Sequence, residues 1–144
     1  MGKAAVLLLL LVNAAGDIRR REISLSFTMG FLTVGAACRL LCLKAGSWLL
    51  PGLLLPLMPG FSLLLLSWFS SGKIGAGDGL VVLAAGFWTE AEPLLYACLG
   101  AFLLVVLAEA LLRLFRRSRK EWPFMPFLCA AWVFYEWVFP GRIV

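Results

Sequence analysis

The sequence predicts an all-α fold: a polytopic membrane protein of about six transmembrane helices. Three observations carry that prediction. Of 144 residues, 62% are hydrophobic and only 15% charged, with a mean hydropathy of +0.97, whereas a soluble domain carries about 25% charge. The apolar residues fall into six runs separated by short polar turns. The basic residues gather in those turns, the pattern of membrane topology rather than of a phosphate-binding face, so the net charge of +5 does not point to nucleic acid. The chain is expected to form a single integral-membrane domain over residues 1–144.

Residues 4–16 are apolar apart from Asn13. Lys3 ahead of the run and Ala14-Ala15-Gly16 behind it also fit a signal peptide. Arg19-Arg20-Arg21 follows directly, however, and that much positive charge resists translocation. The run is therefore expected to stay as helix 1, extending through Gly16 or lying in a locally thinned bilayer. Helix 2 is expected over 24–43. Helix 3 is expected over 48–68, with Pro51, Pro56 and Pro59 kinking or delaying its first half. A polar turn, 70–78, precedes helix 4, about 79–88. The acidic turn Thr89-Glu90-Ala91-Glu92-Pro93 leads into helix 5, 94–115, and Pro93 suits a helix first turn. A basic loop, 116–120, precedes helix 6, about 123–139, where Trp132, Tyr135 and Trp137 read as interfacial anchors.

With the N-terminus outside, one side of the membrane receives Arg19, Arg20, Arg21, Lys73, Arg113, Arg116, Arg117, Arg119 and Lys120. The other receives Lys3, Arg39, Lys44 and Arg142. The positive-inside rule makes the first side cytoplasmic. The same topology brings two acids, Asp17 and Asp78, to one depth at the cytoplasmic ends of helices 1 and 4.

The chain has no histidine, which excludes Ser-His-Asp and Cys-His catalysis and histidine-ligated metal hydrolysis. Its four cysteines, Cys38, Cys42, Cys98 and Cys129, lie inside apolar runs and read as small, buried, reduced side chains. Cys38 and Cys42 share a helix face, but no second pair completes a zinc site. No metal and no cofactor is expected. What remains is the pair of aspartates. Two carboxylates close together at a membrane boundary do not both ionise cheaply, so the pair holds one proton over a useful pH range. One member then serves as base towards water and the other as acid towards a carbonyl oxygen or leaving amine, the chemistry of peptide hydrolysis. The glycines around Asp78, in Gly75-Ala76-Gly77-Asp78-Gly79, would let backbone approach an extended peptide. The positive end of helix 4 would favour the charged form of Asp78. Taken singly, the same residues have structural readings: Asp78 as the N-cap of helix 4, Asp17 as the partner of Arg20 or Arg21. A non-catalytic membrane scaffold or small transporter subunit, with the aspartates as structural or ion-pathway residues, is the alternative of a different class.

Three motifs in order resemble the type IV prepilin peptidase family of Gly-x-Gly-Asp membrane aspartyl proteases. Gly75, Gly77 and Asp78 match the second motif. Asp17, Arg19 and Ile23 match the first, in Asp17-Ile18-Arg19-Arg20-Arg21-Glu22-Ile23. Pro123-Phe124-Met125-Pro126-Phe127 matches the Pro-Phe-x-Pro-Phe run that opens the last helix. The resemblance implies a polytopic helical fold with Asp17 and Asp78 as the catalytic pair. It also implies cleavage of a short basic leader from a prepilin or pseudopilin at the cytoplasmic face of the inner membrane. Two positions depart from the pattern: Ser24 stands where a proline is usual, and Leu80 where a lysine is common. The long members carry a cytoplasmic insertion with paired Cys-x-x-Cys motifs and methylate the new N-terminus. This chain lacks that insertion and resembles the short members that serve Flp-type or Tad-type pilins, so cleavage without methylation is expected. Glu22 and Glu121, on the cytoplasmic side near the motifs, are candidates to bind the basic leader. Glu109 is expected to pair with Arg113 at i, i+4, Glu136 to lie among aromatics at the outer interface, and the basic loop to touch anionic lipid.

Overall fold

A computed structural model of the chain describes residues 2–20, 23–42, 52, 54–69, 75–114 and 124–140. Among these, all regular structure is helical: α1 (Gly2–Arg20), α2 (Leu25–Cys42), a short 3-10 turn (Leu55–Leu57) leading into α3 (Met58–Phe69), α4 (Ala76–Gly86), α5 (Ala91–Leu114) and α6 (Phe124–Val138). The expected all-α fold is present. One described helix, α5, is long and apolar enough to cross a membrane on length and composition.

Three boundaries differ from expectation, each for a local reason. α1 continues to Arg20, so Asp17 and Arg19 belong to its last turns rather than to a following loop. Gly52 and Leu54 are already helical, but the 3-10 turn that holds Pro56 interrupts the helix and α3 runs regularly only from Met58; Pro59 sits in its first turn, where a missing N–H costs nothing. α4 starts at Ala76, with Gly75 as its N-cap, so Asp78 lies in its first turn. Pro93 falls in the first turn of α5.

α3 pairs antiparallel with α4, and α5 with α6, through contacts that run over small residues. Along α3 and α4, Gly86 faces the Pro56 carbonyl, Gly60 faces Leu83, and Gly79 faces Leu64. A Cβ on Gly60 would stand 2.6 Å from the Leu83 backbone, so the two helices approach as closely as glycine permits. α5 and α6 pair through Tyr96 stacked on Tyr135 at 5.9 Å and Gly100 against Ala131. α1 lies along α6, and α2 along α4. The core joins Val6, Leu9, Leu10 and Ala14 of α1 to Val81, Val82, Ala84 and Ala85 of α4 and to Met125, Leu128 and Trp132 of α6. In contrast, α5 turns Leu99, Leu103, Val106 and Leu107 outward, each more than half exposed. An exposed apolar stripe of that kind is what a lipid-facing helix presents.

Polar contacts close the end of the bundle remote from Asp17. Arg39 of α2 donates to the carbonyls of Phe87 and Thr89, just beyond α4, at 3.4 and 3.0 Å, and to Gly52 at 2.8 Å. Those last carbonyls have no partner within α4, and a guanidinium is suited to them in both charge and geometry. Lys3 pairs with Glu136 at 2.8 Å, joining α1 to α6. Glu136 is thus an ion-pair partner, not only an interfacial residue among aromatics. Glu109 pairs with Arg113 at 2.9 Å, one turn apart on α5. Cys98 and Cys129 are buried, but Cys38 is exposed, which corrects the reading of the cysteines as uniformly buried.

Candidate active site

The end opposite Arg39 is built where three helix termini meet: the last turns of α1, the first turn of α4 and the first turn of α6. Each contributes one sequence motif. Asp17, half-buried, projects from α1 on the same stripe as Val6, Leu9, Leu10, Asn13 and Ala14. Its Oδ2 accepts a hydrogen bond at 3.2 Å from the backbone N–H of Met125, the second residue of α6. That N–H is one of the four donors a helix N-terminus leaves without an internal partner. The Pro-Phe-x-Pro-Phe run thus supplies the start of a helix whose free donor faces Asp17. Both the hydrogen bond and the positive helix end favour an ionised Asp17.

Asp78 lies ahead of the apolar run 79–88, outside the segment read as membrane-embedded. Its carboxyl group is pushed up to about 7, first by burial and then by the negative charge of Asp17. Helix 4's positive end would act the other way, and it is outweighed. The N-cap reading also fails, because Gly75 occupies that position and Asp78 bonds to it only through its backbone N–H, at 3.1 Å. The carboxyl folds back over Gly75, where a Cβ would come within 3.3 Å of Oδ2.

Gly77 has a packing role instead of an open one. A Cβ there would meet Ile23 Cδ1 at 2.6 Å. The isoleucine of the first motif therefore rests on the second glycine of the second, and the space that glycine leaves is filled from within the protein. The expectation that both glycines admit a peptide is corrected for Gly77; Gly75 is exposed. Arg19 is exposed on the outer side of α1. Phe124 packs on Phe102 of α5 with ring centroids 5.2 Å apart. Pro126 lines, with Ala14, Cys129 and Val133, an open apolar groove of about 610 Å³ between α1 and α6 that neither carboxylate lines. Pro123, Glu22 and Glu121 lie outside the described residues, as do Lys73 and the basic loop 116–120.

Two features of this end go beyond the sequence-predicted site. One is the Met125 N–H, which a side-chain reading does not register. The other is Asn13, fully buried one turn before Asp17, whose Oδ1 accepts from Thr28 Oγ1 of α2 at 3.3 Å. Its signal was present, since Asn13 is the one polar residue in the first apolar run, four positions before Asp17.

The assembled geometry sets a carboxyl that stays neutral to about pH 7 within electrostatic reach of a carboxylate held by an N–H donor. Such a pair offers a proton donor and a proton acceptor at one place. Comparison with known proteins agrees in kind. The model of the type IV leader peptidase family matches residues 4–109, which include both aspartates but not the run at 123–127. No curated protein and no solved structure matches the chain. With that match over most of its length, the chain belongs to the type IV leader peptidase family.

Proposed function

We propose that this peptidase is a membrane aspartyl endopeptidase that removes the short basic leader from type IV prepilin-like precursors of the Flp or Tad kind. The observation that carries the reading is the convergence of Asp17 and Asp78 from separate helices, with Met125 donating to Asp17. Asp17, favoured as the carboxylate, takes a proton from water as that water attacks the scissile carbonyl carbon. Asp78, protonated up to about pH 7, gives its proton to the carbonyl oxygen; on collapse Asp17 passes the proton it took from water to the leaving amine, and Asp78 takes one back from the diol hydroxyl. The dyad ends with its single proton restored, and no metal or covalent intermediate is needed.

The chain acts as one domain over residues 1–144 with six membrane-crossing segments, in the inner membrane. Its N-terminus lies outside and the dyad at the cytoplasmic face. Glu22 and Glu121 attract the basic leader there; anionic lipid and the precursor are the partners. The test is leader removal from a co-expressed prepilin, followed by gel mobility. Asp17→Asn and Asp78→Asn each lower the rate by about 10²–10⁴-fold. Persistent processing in both single variants would overturn the reading and favour the non-catalytic scaffold or transporter subunit.

A further inference from the structure

Asn13 and Thr28 form a buried polar bridge in an otherwise apolar part of the bundle. Asn13 is 0% exposed and Thr28 2%. The Asn13 amide donates to the Leu9 carbonyl of its own helix at 3.0 Å, which fixes the side chain's rotamer and points Oδ1 at Thr28. Neither group is needed to complete a helix. Burying an amide and a hydroxyl among leucines and valines has a desolvation cost that a neutral hydrogen bond recovers only in part. Apolar residues of like size would pack there at least as well, so a purely structural account leaves the choice of these two residues unexplained.

The position of the bridge supplies the reason. α1 and α2 are not among the closely packed helix pairs; α1 packs along α6, and α2 along α4. Both helices also pack on α4, and the bridge ties the height of α1 directly to that of α2 on the side of the two aspartates. Asn13 lies four residues before Asp17 on the same face of α1. Thr28 lies in the first turns of α2, just after Ile23, and Ile23 rests on Gly77, adjacent to Asp78. The connections form a ring: Asp17, Asn13, Thr28, Ile23, Gly77, Asp78 and back to Asp17. We infer that the Asn13–Thr28 hydrogen bond positions Asp17 against Asp78 by locking the register of α1 on α2. Asn13 and Thr28 are positioning residues and touch no substrate. The inference rests on the proposed dyad, and its test keeps the two separable.

The first arm needs no peptidase activity. In a chain with native cysteines replaced by serine or alanine, Asp17→Cys and Asp78→Cys are introduced together. Their oxidative cross-linking yield per molecule is then compared with and without Asn13→Leu. The expected result is cross-linking with Asn13 present and a yield several-fold lower with leucine. The second arm measures leader cleavage per folded molecule. Thr28→Val, which keeps the volume and removes the hydroxyl, lowers it by about 10²-fold, the penalty of roughly 1 Å of misplacement. Thr28→Ser, which keeps the hydroxyl, retains most of it. In the Asn13→Leu chain the Thr28 hydroxyl can turn to the Ser24 carbonyl, four residues before it, so loss of the bridge there leaves no buried donor unpaired. Equal cross-linking yields with and without Asn13, or equal cleavage by the valine and serine variants, would overturn the positioning role. Cleavage that survives Asp17→Asn and Asp78→Asn would instead overturn the dyad.

Discussion

At the scale of single residues, what distinguishes the two aspartates is what surrounds each carboxyl. Asp17 faces a helix N-terminus; Asp78 faces burial and the charge of Asp17. The asymmetry gives a directional pH dependence. Asp78 must carry the proton to act as the acid, and it loses that proton as pH rises through about 7. Initial cleavage rates are expected to fall above pH 7, approaching tenfold per pH unit well beyond it. A flat profile between pH 6 and 9 would contradict the assignment. Stability shares the sign. Because the folded state raises this carboxyl from 3.8 to about 7, its contribution is fully present below pH 3.8 and is lost as pH rises through 7. Asp78→Asn, neutral throughout, should therefore raise the thermal midpoint relative to the parent at pH 8 and much less at pH 5. The aspartates and their motif spacing were readable from the sequence. The asymmetry was not, because it depends on a backbone N–H at Met125, 108 positions away in the chain, and on burial that no local pattern encodes.

At the scale of elements, α4 is the short helix on which the site turns. Its eleven residues touch α1, α2, α3 and α5, and its glycines let neighbours approach closely. The contacts differ in how readily they relax. At Gly60 an added Cβ meets the Leu83 backbone, which has nowhere to go; at Gly77 it meets first the tip of the Ile23 side chain. Gly60→Ala is thus expected to destabilise the protein by about 1–3 kcal/mol as an overpacked contact. Gly77→Ala should lose less stability but more activity, because Ile23 shifts beside Asp78. The double variant Gly77→Ala/Ile23→Val, which removes Cδ1, should regain much of the cleavage lost by Gly77→Ala alone. No recovery would mean that Ile23 does not carry the effect. The six apolar runs predicted the six helices named among the described residues, but an all-apolar run has no face. Which leucines of α1 are inside became clear only in the fold, where Leu9 and Leu10 are buried and Leu8 and Leu11 exposed. Asn13 and Asp17, four apart, were the two residues that marked the inner face in advance.

At the scale of the whole molecule, length sets where the site sits. α5, with 24 residues, is about 36 Å long, enough to cross a hydrocarbon core of about 30 Å. α4, with eleven, is about 16 Å long. Yet α4 reaches from the Asp17–Asp78 end to the Trp88 region, where Gly2 and Arg39 meet it. A bilayer thinned around the shorter helices keeps the proposed dyad at its cytoplasmic boundary. The two ends also differ in how their described cations are engaged. Among the described residues, the end with Asp17 carries the exposed Arg19, whereas Lys3 and Arg39 at the other end are engaged by Glu136 and by carbonyls. A direct check is a set of reporter fusions. Alkaline phosphatase joined after residue 46, 90 or 144 should be active, and joined after residue 21, 72 or 118 inactive, with a cytoplasm-dependent fluorescent reporter giving the converse. Neutralising Arg19, Arg20 and Arg21 together should weaken this pattern first at the 21 and 46 junctions, because the positive-inside rule makes that cluster the signal that would hold the α1 end inside. Activity of the reporter at position 72 would place Asp78 on the outer face, away from where a basic leader waits in the cytoplasm, and would remove the proposed access of substrate to the dyad.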